Sequence, residues 1–284
     1  MLRFTKTVFE LFMLCLILAI IAFGYARYIE PFSLKSIELS LEDPKLQTQQ
    51  ADNKLKIAVF SDTHFSDWYT PEDFEKVVQG INEQKPDLVF FVGDLIDNFQ
   101  TYKGSIEAIT ACLNDIQAPL GKFAVYGNHD YGGGAEWEYE GIMQNAGFTV
   151  LAGDYYALDD LQLAIIGIDD ILIGGGSPEI ASWGREDYYN IVLCHEPDVV
   201  DEITDYNVNL MISGHTHGGQ INIPGYTDKF LPPYGEKYLK GLFEFENHIN
   251  TKLYVTSGVG MTKLPFRFMA PPDVTYITLY NNAD

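Results

Sequence analysis

Five short apolar runs, each closed by a cluster of Asp, Asn or His, constrain this chain more than any other feature. The run at 55–60 leads to Asp62-Thr63-His64, and that at 88–92 to Gly93-Asp94. The run at 123–126 leads to Gly127-Asn128-His129-Asp130, that at 191–194 to His195, and that at 210–213 to Gly214-His215-Thr216-His217-Gly218-Gly219-Gln220. Runs of this length, rich in Val, Ile and Phe and bounded by Gly or polar residues, read as strands covered on both faces. Five strand ends then deliver carboxylates, imidazoles and one carboxamide to one edge of a sheet.

The donors are oxygen and nitrogen without thiolate. Such a set suits Mn, Fe or Zn in a hydrolytic centre better than a structural zinc knot, and a carboxylate such as Asp94 can bridge two ions. Each piece alone has an ordinary reading: Asp62 can cap a turn, Asn128 can serve a left-handed position, and a histidine at a strand end is often a satisfied structural residue. All five together, each at a strand end, are hard to explain that way.

In this order the blocks D-x-H, G-D, G-N-H-D, H and G-H-x-H resemble the calcineurin-like metallophosphoesterase superfamily, over residues 55 to about 279. The Gly214–Gln220 form, Tyr254-Val255-Thr256-Ser257-Gly258-Val259-Gly260, Pro265-Phe266-Arg267-Phe268 and Pro271-Pro272 look like its membrane-associated, single-domain branch. Some members of that branch are similar to a pyrophosphatase that cleaves UDP-2,3-diacylglucosamine in lipid A synthesis; others are general phosphodiesterases. The resemblance implies an α/β fold, a four-layer α/β/β/α sandwich of two mixed sheets flanked by helices. It also implies a metal-dependent phosphoric ester hydrolase with two divalent ions (Mn, Fe or Zn). Asp62, His64 and His217 would bind the first ion, Asn128, His195 and His215 the second, and Asp94 would bridge. Asn128 would also contact phosphate. His129 would stabilise the transition state or protonate the leaving oxygen, with Asp130 orienting its ring. Asp62 and His64, two apart, would face one side of an extended strand end. His215 and His217 have the same spacing but serve different ions, so the backbone must turn there, as Gly214, Gly218 and Gly219 allow. Asp97 reads either as a residue orienting a ligand or as an ordinary turn aspartate. Asp159, Asp160, Asp169, Asp170 and Asp187 read as solvated charges.

A chain of 284 residues, 46% apolar, is long enough for one large core plus an appendage. Cys15, Cys112 and Cys194 are scattered, with no C-x-x-C, so neither a disulfide framework nor a cysteine zinc site is implied. The reading divides the chain into a short basic N-terminus at 1–7, a transmembrane signal-anchor at 8–26, a lead-in strand and linker at 27–54, and the metallophosphoesterase domain at 55–284. From 11 to 26 no charge occurs, which fits an uncleaved single-pass anchor. Arg3 and Lys6 precede the span, whereas Arg27 follows it and is offset by Glu30, so the positive-inside rule puts the catalytic domain outside the cytoplasm. A UDP-2,3-diacylglucosamine substrate would instead require a cytoplasmic face.

Alternation of strands and helices is expected: a strand at 34–41, a linker at 42–54, a helix starting at Thr70-Pro71 with the stripe Phe74, Val77, Val78 and Ile81, a second after Ser105, and a third over 136–146 stopped by Gly147. Residues 149–158 and 161–168, joined at Asp159-Asp160, read as a hairpin in a second sheet.

Beyond residue 35 the chain carries 14 basic against 38 acidic side chains, a net of −24. Such a surface should repel nucleic acid backbones and anionic headgroups alike, so no nucleic acid partner and no non-specific binding to either is expected, and nothing in the sequence calls for a protein partner. A phosphate-bearing substrate approaching so acidic a protein needs local positive charge, for which Arg267 and one or more of Lys229, Lys237 and Lys240 are candidates. The aromatic-rich stretch 221–245, with Phe230, Tyr234, Tyr238 and Phe243, either receives a lipid-linked substrate or packs the sandwich edge. A phosphorylated small molecule or a lipid is the expected substrate class. A catalytically silent tethered protein is the contrasting reading, disfavoured because every motif residue is present.

Overall fold

Alternate residues of the central strands face two different apolar layers, which is why the chain stacks sheet on sheet. The computed structural model describes residues 2–46 and 54–281. Met1, residues 47–53 of the linker expected at 42–54, and 282–284 lie outside the described residues, while Glu42 ends β1 and Lys54 opens β2. A long helix α1 (Leu2–Tyr28) precedes β1 (Lys35–Glu42), β2 (Lys54–Phe60), α2 (Pro71–Gln84), β3 (Leu88–Val92), α3 (Ile106–Asn114) and β4 (Gly121–Val125). There follow α4 (Asn128–Gly132), α5 (Tyr139–Asn145), β5 (Phe148–Val150), β6 (Asp154–Leu158), β7 (Leu163–Gly167), β8 (Tyr189–Leu193) and α6 (Val200–Ile203). The chain closes with β9 (Leu210–Ser213), β10 (Gly241–Glu244), β11 (Lys252–Val255) and β12 (Asp273–Tyr280).

One sheet has the order β1-β12-β2-β3-β4-β5 and the other β10-β11-β9-β8-β7-β6. In the first, only β12 and β2 are antiparallel. In the second, β7 through β11 are parallel by way of β8 and β9, and both edge pairings are antiparallel. Ala58, Phe60, Val89 and Phe91 turn outward to Phe74, Val77, Ile81, Ile109 and Leu113 of α2 and α3. Their neighbours Ile57, Val59, Phe90 and Val92 turn inward against Ile165, Ile191, Leu193 and Ile212 of the second sheet. On the far face Ile166, Val192 and Met211 meet Val199, Val200 and Ile203. The period-2 geometry of a strand thus generates three apolar layers and the expected four-layer sandwich, although the helical cover of the second sheet is short.

Local signals explain most boundaries. The Thr70 side chain and Asp73 form a reciprocal capping box at the start of α2, and Ser105 accepts from Ala108 N to open α3. The third helix begins later than expected, at Tyr139, because Ala135 O accepts from the amides of both Glu138 and Tyr139 and forms a turn first. Thr149 and Val150 do not enter the hairpin. They pair with Phe123 and Ala124 in the first sheet, and the chain crosses to the second sheet before β6.

The helix α1, 27 residues long and so about 40 Å at 1.5 Å per residue, is long and apolar enough to cross a membrane; a signal sequence passes the same test. Its C-terminal end is seated on the catalytic domain. Arg267 N donates to Ala26 O at 2.9 Å, Ala270 N donates to the buried Glu30 Oε1 at 2.6 Å, and the rings of Phe23 and Phe266 stand 5.1 Å apart.

Phe90 is fully buried between the sheets, so Phe90→Ala is expected to cost about 3–5 kcal/mol of stability. Urea unfolding of the full chain in detergent measures this, and a loss below about 1 kcal/mol would mean the central layer is not close-packed there.

Candidate active site

The five motif segments meet at one edge of the sandwich, at the C-terminal ends of β2, β3, β4, β8 and β9. Asp62, His64, Asp94 and His195 are fully buried or nearly so, and His215 and His217 are at most 6% exposed. Approach this close needs bare backbone: a Cβ on Gly127 would stand 2.4 Å from Asp94 Oδ1, and one on Gly214 would stand 2.4 Å from Asp62 Oδ2. The backbone also departs from the extended form expected at Asp62 and His64. Asp62, His64, Asp94, His215 and His217 all have left-handed φ, between 42° and 70°. Each such non-glycine position costs on the order of 1–3 kcal/mol and persists only where surrounding contacts over-determine it.

The donor atoms are spaced as ligands of shared ions. His64 Nε2 lies 3.1 Å from His217 Nε2 and 3.4 Å from Asp94 Oδ2, and His217 Nε2 lies 3.4 Å from Asp62 Oδ1. His195 Nε2 lies 3.2 Å from Asp94 Oδ2. Ligands at about 2.0–2.2 Å from an ion stand roughly 3–3.5 Å from one another. Asp62, His64 and His217 form one group able to hold a metal, and Asp62, Asp94 and His195 another, so Asp94 sits near both His64 and His195. His215 falls outside these groups, but its ring is 4.9 Å from that of His195. Its Nε2 donates to Pro233 O at 2.9 Å, which leaves Nδ1 with the lone pair.

Unpaired buried atoms make the same point. His195 Nδ1 donates to Val92 O at 2.6 Å, so Nε2 offers a lone pair beside a carboxylate, and neither it nor the buried Asn128 Oδ1 has a hydrogen-bond partner. Such atoms are costly unless a cation meets them. Electrostatics agree. Burial disfavours the His64 imidazolium, yet the nearby Asp62, Asp97 and Asp94 raise its pKa to about 9. Burial likewise opposes protonation of His195, but Asp94 and Asp62 push it well up. Burial lowers His215 to about 4, with His195 adding to the effect, so this imidazole is neutral and available as a ligand. The cluster is thus negative enough to favour positive charge at His64 and His195, a proton or the divalent ion that would displace it, and the donor set fits divalent ions.

The group floors a cavity of about 530 Å³ lined by Asp94, Asn128, His129, His215 and His217 below and by Ile221, Ile223, Tyr226, Phe230, Leu231 and Leu264 above. A model of the calcineurin-like phosphoesterase family matches residues 55–219, which include the D-x-H, G-D, G-N-H-D, H and G-H-x-H blocks. The chain belongs to that family. It is a metal-dependent phosphoric ester hydrolase with Asp and His side chains placed for metal binding. It is 41% identical over 261 residues to a Bacillus subtilis (strain 168) protein named YkuE and described as an uncharacterized metallophosphoesterase, with 90% of this chain and 89% of that one covered. It is 33% identical over 271 residues to the Escherichia coli (strain K12) phosphodiesterase YaeI, covering 90% and 92%. A dimetal phosphatase from Danio rerio shares the fold at a TM-score of 0.50 and 11% identity, with 72% of this chain and 88% of that one covered.

Several sequence expectations are corrected by the geometry. Asp130 does not orient His129. Its carboxylate accepts from the amides of Asp94, Leu95 and Gly127 at 2.8–2.9 Å, so it ties the β3 and β4 loops together. Burial and the Asp94 charge push Asp130 up to about 7 against the pull of those N–H donors. His129 is instead held by Asp97, whose carbonyl accepts from Nδ1 at 2.7 Å. The Asp97 carboxylate accepts from Thr262 Oγ1 at 2.7 Å and lies 3.2 Å from His64 Nδ1. Asp97 is thus more than a turn residue, and the spacing Gly93-Asp94-x-x-Asp97 was its only sequence signal. Arg267 does not line the substrate side. It is fully buried, and its guanidinium donates to the carbonyls of Ser257, Gly260 and Ala270 at 2.7–2.9 Å, bracing the loop packed beneath Asp62. Lys237 pairs with Asp201 on the surface, whereas Lys263 lines the cavity. Phe230 lines it too, but Tyr238 stacks with Phe243 and Phe245 elsewhere. Asp170 is buried and accepts from Ile173 N and Gly174 N, and Asp169 accepts from Tyr131 Oη, so neither is a solvated charge.

Asp97→Ala removes the carboxylate from His64 and the brace on Thr262. It is expected to weaken metal binding or turnover by about 10–100-fold, measured by calorimetric metal titration alongside an assay; both unchanged would return Asp97 to a plain turn role.

Proposed function

We propose that this chain is a dinuclear-metal phosphodiesterase or pyrophosphatase acting on a membrane-associated substrate, such as UDP-2,3-diacylglucosamine or another phospholipid, with α1 as a single-pass anchor. One observation carries the reading: the cavity has a floor of metal-ligating side chains and walls that are largely apolar. A phosphate group fits the floor and acyl or other apolar chains fit the walls. The E. coli relative's name, phosphodiesterase, supports the reaction class. The charge balance around α1 favours an extracytoplasmic catalytic domain, and a nucleotide-lipid substrate would reverse it.

In this reading Asp62, His64 and His217 would hold one ion and Asn128, His195 and His215 the other, with Asp94 Oδ2 near both His64 and His195. Two divalent ions there would supply water activation near neutral pH and positive charge for the phosphate oxygens. Asn128 contributes a neutral oxygen, which keeps the pocket from repelling an anionic substrate. The His129 backbone N–H donates to Asp94 Oδ1 at 2.8 Å, fixing that carboxylate, and its Nδ1–H is held by Asp97 O. That leaves Nε2 as the ring atom facing the departing oxygen, and it can hand over a proton only from the doubly protonated ring, whose Nδ1–H stays on Asp97 O. Lys263 supplies the cationic side chain at the wall.

His129→Ala is expected to lower turnover about 10²–10⁴-fold with metal content, read by mass spectrometry, unchanged; equal loss of metal would make His129 structural. The substrate reading is checked with the full chain in detergent, loaded with Mn or Zn and assayed on bis(p-nitrophenyl) phosphate, a monoester and UDP-2,3-diacylglucosamine. Preference for the lipid is the expected result, and a soluble diester cleaved far better than any lipid would overturn it.

A further inference from the structure

We propose that the mouth of the active-site cavity lies against the bilayer: Ile223, Tyr226, Phe230, Leu264 and Met269, flanked by Lys229 and Lys263, form a lipid-docking rim that α1 holds at headgroup level. The inference rests on reading α1 as an anchor and deepens the proposed function by stating where its substrate enters.

The first observation is depth. Phe23 touches Phe266, yet Phe23 lies three residues inside the uncharged stretch that ends at Ala26, about 4–5 Å along a helix axis. The segment 264–269 is therefore level with the last apolar turn of the anchor. Arg27 and Tyr28 follow at once, the guanidinium 4.9 Å from the ring centre, a pairing of residue types that marks a membrane–water boundary.

The second observation is rigid continuity from that level to the cavity. Phe268 N donates to Gln220 O and Asn222 N to Phe268 O, at 2.9 and 2.8 Å, so segment 266–269 bridges to the start of the loop that carries Ile223, Tyr226 and Phe230. Gln220 in turn bonds both the amide and the carbonyl of Thr262. A displacement of the anchor therefore moves both walls of the mouth together.

The third observation is the surface. Phe230 is 83% exposed, Tyr226 62% and Leu264 53%, all three lining the cavity, and Met269, 55% exposed, adds to them from the segment that receives the anchor. Large apolar side chains gathered beside one opening are unusual on a surface bathed in water, and they match an interfacial contact edged by lysines. Lys229 lies over the Tyr226 ring at 5.4 Å, and Lys263 is exposed at the opposite wall. On a domain otherwise so acidic, these two cations suit anionic headgroups. A lipid substrate then reaches the ligand cluster sideways from the bilayer without crossing water.

The test uses the full chain carrying Trp68→Phe, Trp137→Phe and Trp183→Phe, with a single indole introduced by Phe230→Trp or, separately, Leu264→Trp. Each is reconstituted in phosphatidylcholine–phosphatidylglycerol vesicles with and without bromine near the top of the acyl chains. Leu120→Trp is the control, since Leu120 directly precedes β4 and so lies at the end of the parallel strands away from the ligand loops. The expected result is loss of most emission at 230 and 264 in brominated vesicles, with no loss at 120. Equal quenching at all three positions, or none, overturns the rim, and the exposed side chains would then await an apolar substrate tail or a protein. An alkaline carbonate wash separates the two levels of the argument. Protein retained in the vesicles without rim quenching defeats the rim alone, whereas protein released by the wash removes the anchor reading and the rim with it.

Discussion

Everything at the candidate site depends on the apolar layer between the two sheets. Asp62, Asp94 and Asn128 follow strands of the first sheet, while His195, His215 and His217 follow strands of the second. They meet only because Ile57, Val59, Phe90 and Val92 interdigitate with Ile165, Ile191, Leu193 and Ile212, which holds the strand ends in register. Direct bonds then stitch the seam: His195 Nδ1 to Val92 O at 2.6 Å, and His215 N to the Asp62 carboxylate at 3.1 Å. Hydrophobic burial supplies the driving force, and the polar seam selects one arrangement of the layers.

That arrangement is locally unfavourable. Carboxylates are desolvated beside one another, two imidazoles meet nitrogen to nitrogen, and five ligand residues adopt a backbone that side chains rarely take. The compensation comes from buried groups that touch no substrate. Asp130 accepts three backbone amides, Arg267 donates to five carbonyls, and Asp273 accepts from Thr256 Oγ1 and Ser257 N. Each converts a loop into a fixed platform, so the ligands are held ready and little reorganisation remains for metal or substrate to impose.

The N-terminal helix enters this economy of braces rather than hanging from a flexible tether. Its last two turns and the Glu30 that follows share two hydrogen bonds and a ring contact with the segment that also carries Arg267. The residue that braces the ligand loops and the residues that receive the anchor are therefore consecutive, which couples the geometry of the site to the position of the helix. The strong acidity of the domain gives the few cations near the cavity more weight, because they locally reverse the potential an anionic substrate meets.

Sequence periodicity and composition read out β1 to β4 and β6 to β9, the first two helices and the apolar N-terminal span, because these depend on short-range pattern: period 2 in strands and caps at helix starts; β10, β11 and β12 carried no such signal, and the candidate ligands came from the likeness of the polar clusters behind the strands to a known family. The motif spacing also identified which side chains would gather. What it could not distinguish was role among neighbours. Asp97 and Asp130 are both aspartates close behind a ligand, and only the tertiary structure decided that Asp97 holds His129 while Asp130 ties two loops. Arg267 read as a cation for substrate, yet packing buries it, because the carbonyls it satisfies come from loops distant in sequence. The same holds for Asp170, buried among amides no local pattern reveals. The polar cluster behind each strand is a local property of the chain; the partner of a buried charge is a property of the fold, since it is set by which loops the stacked sheets bring together.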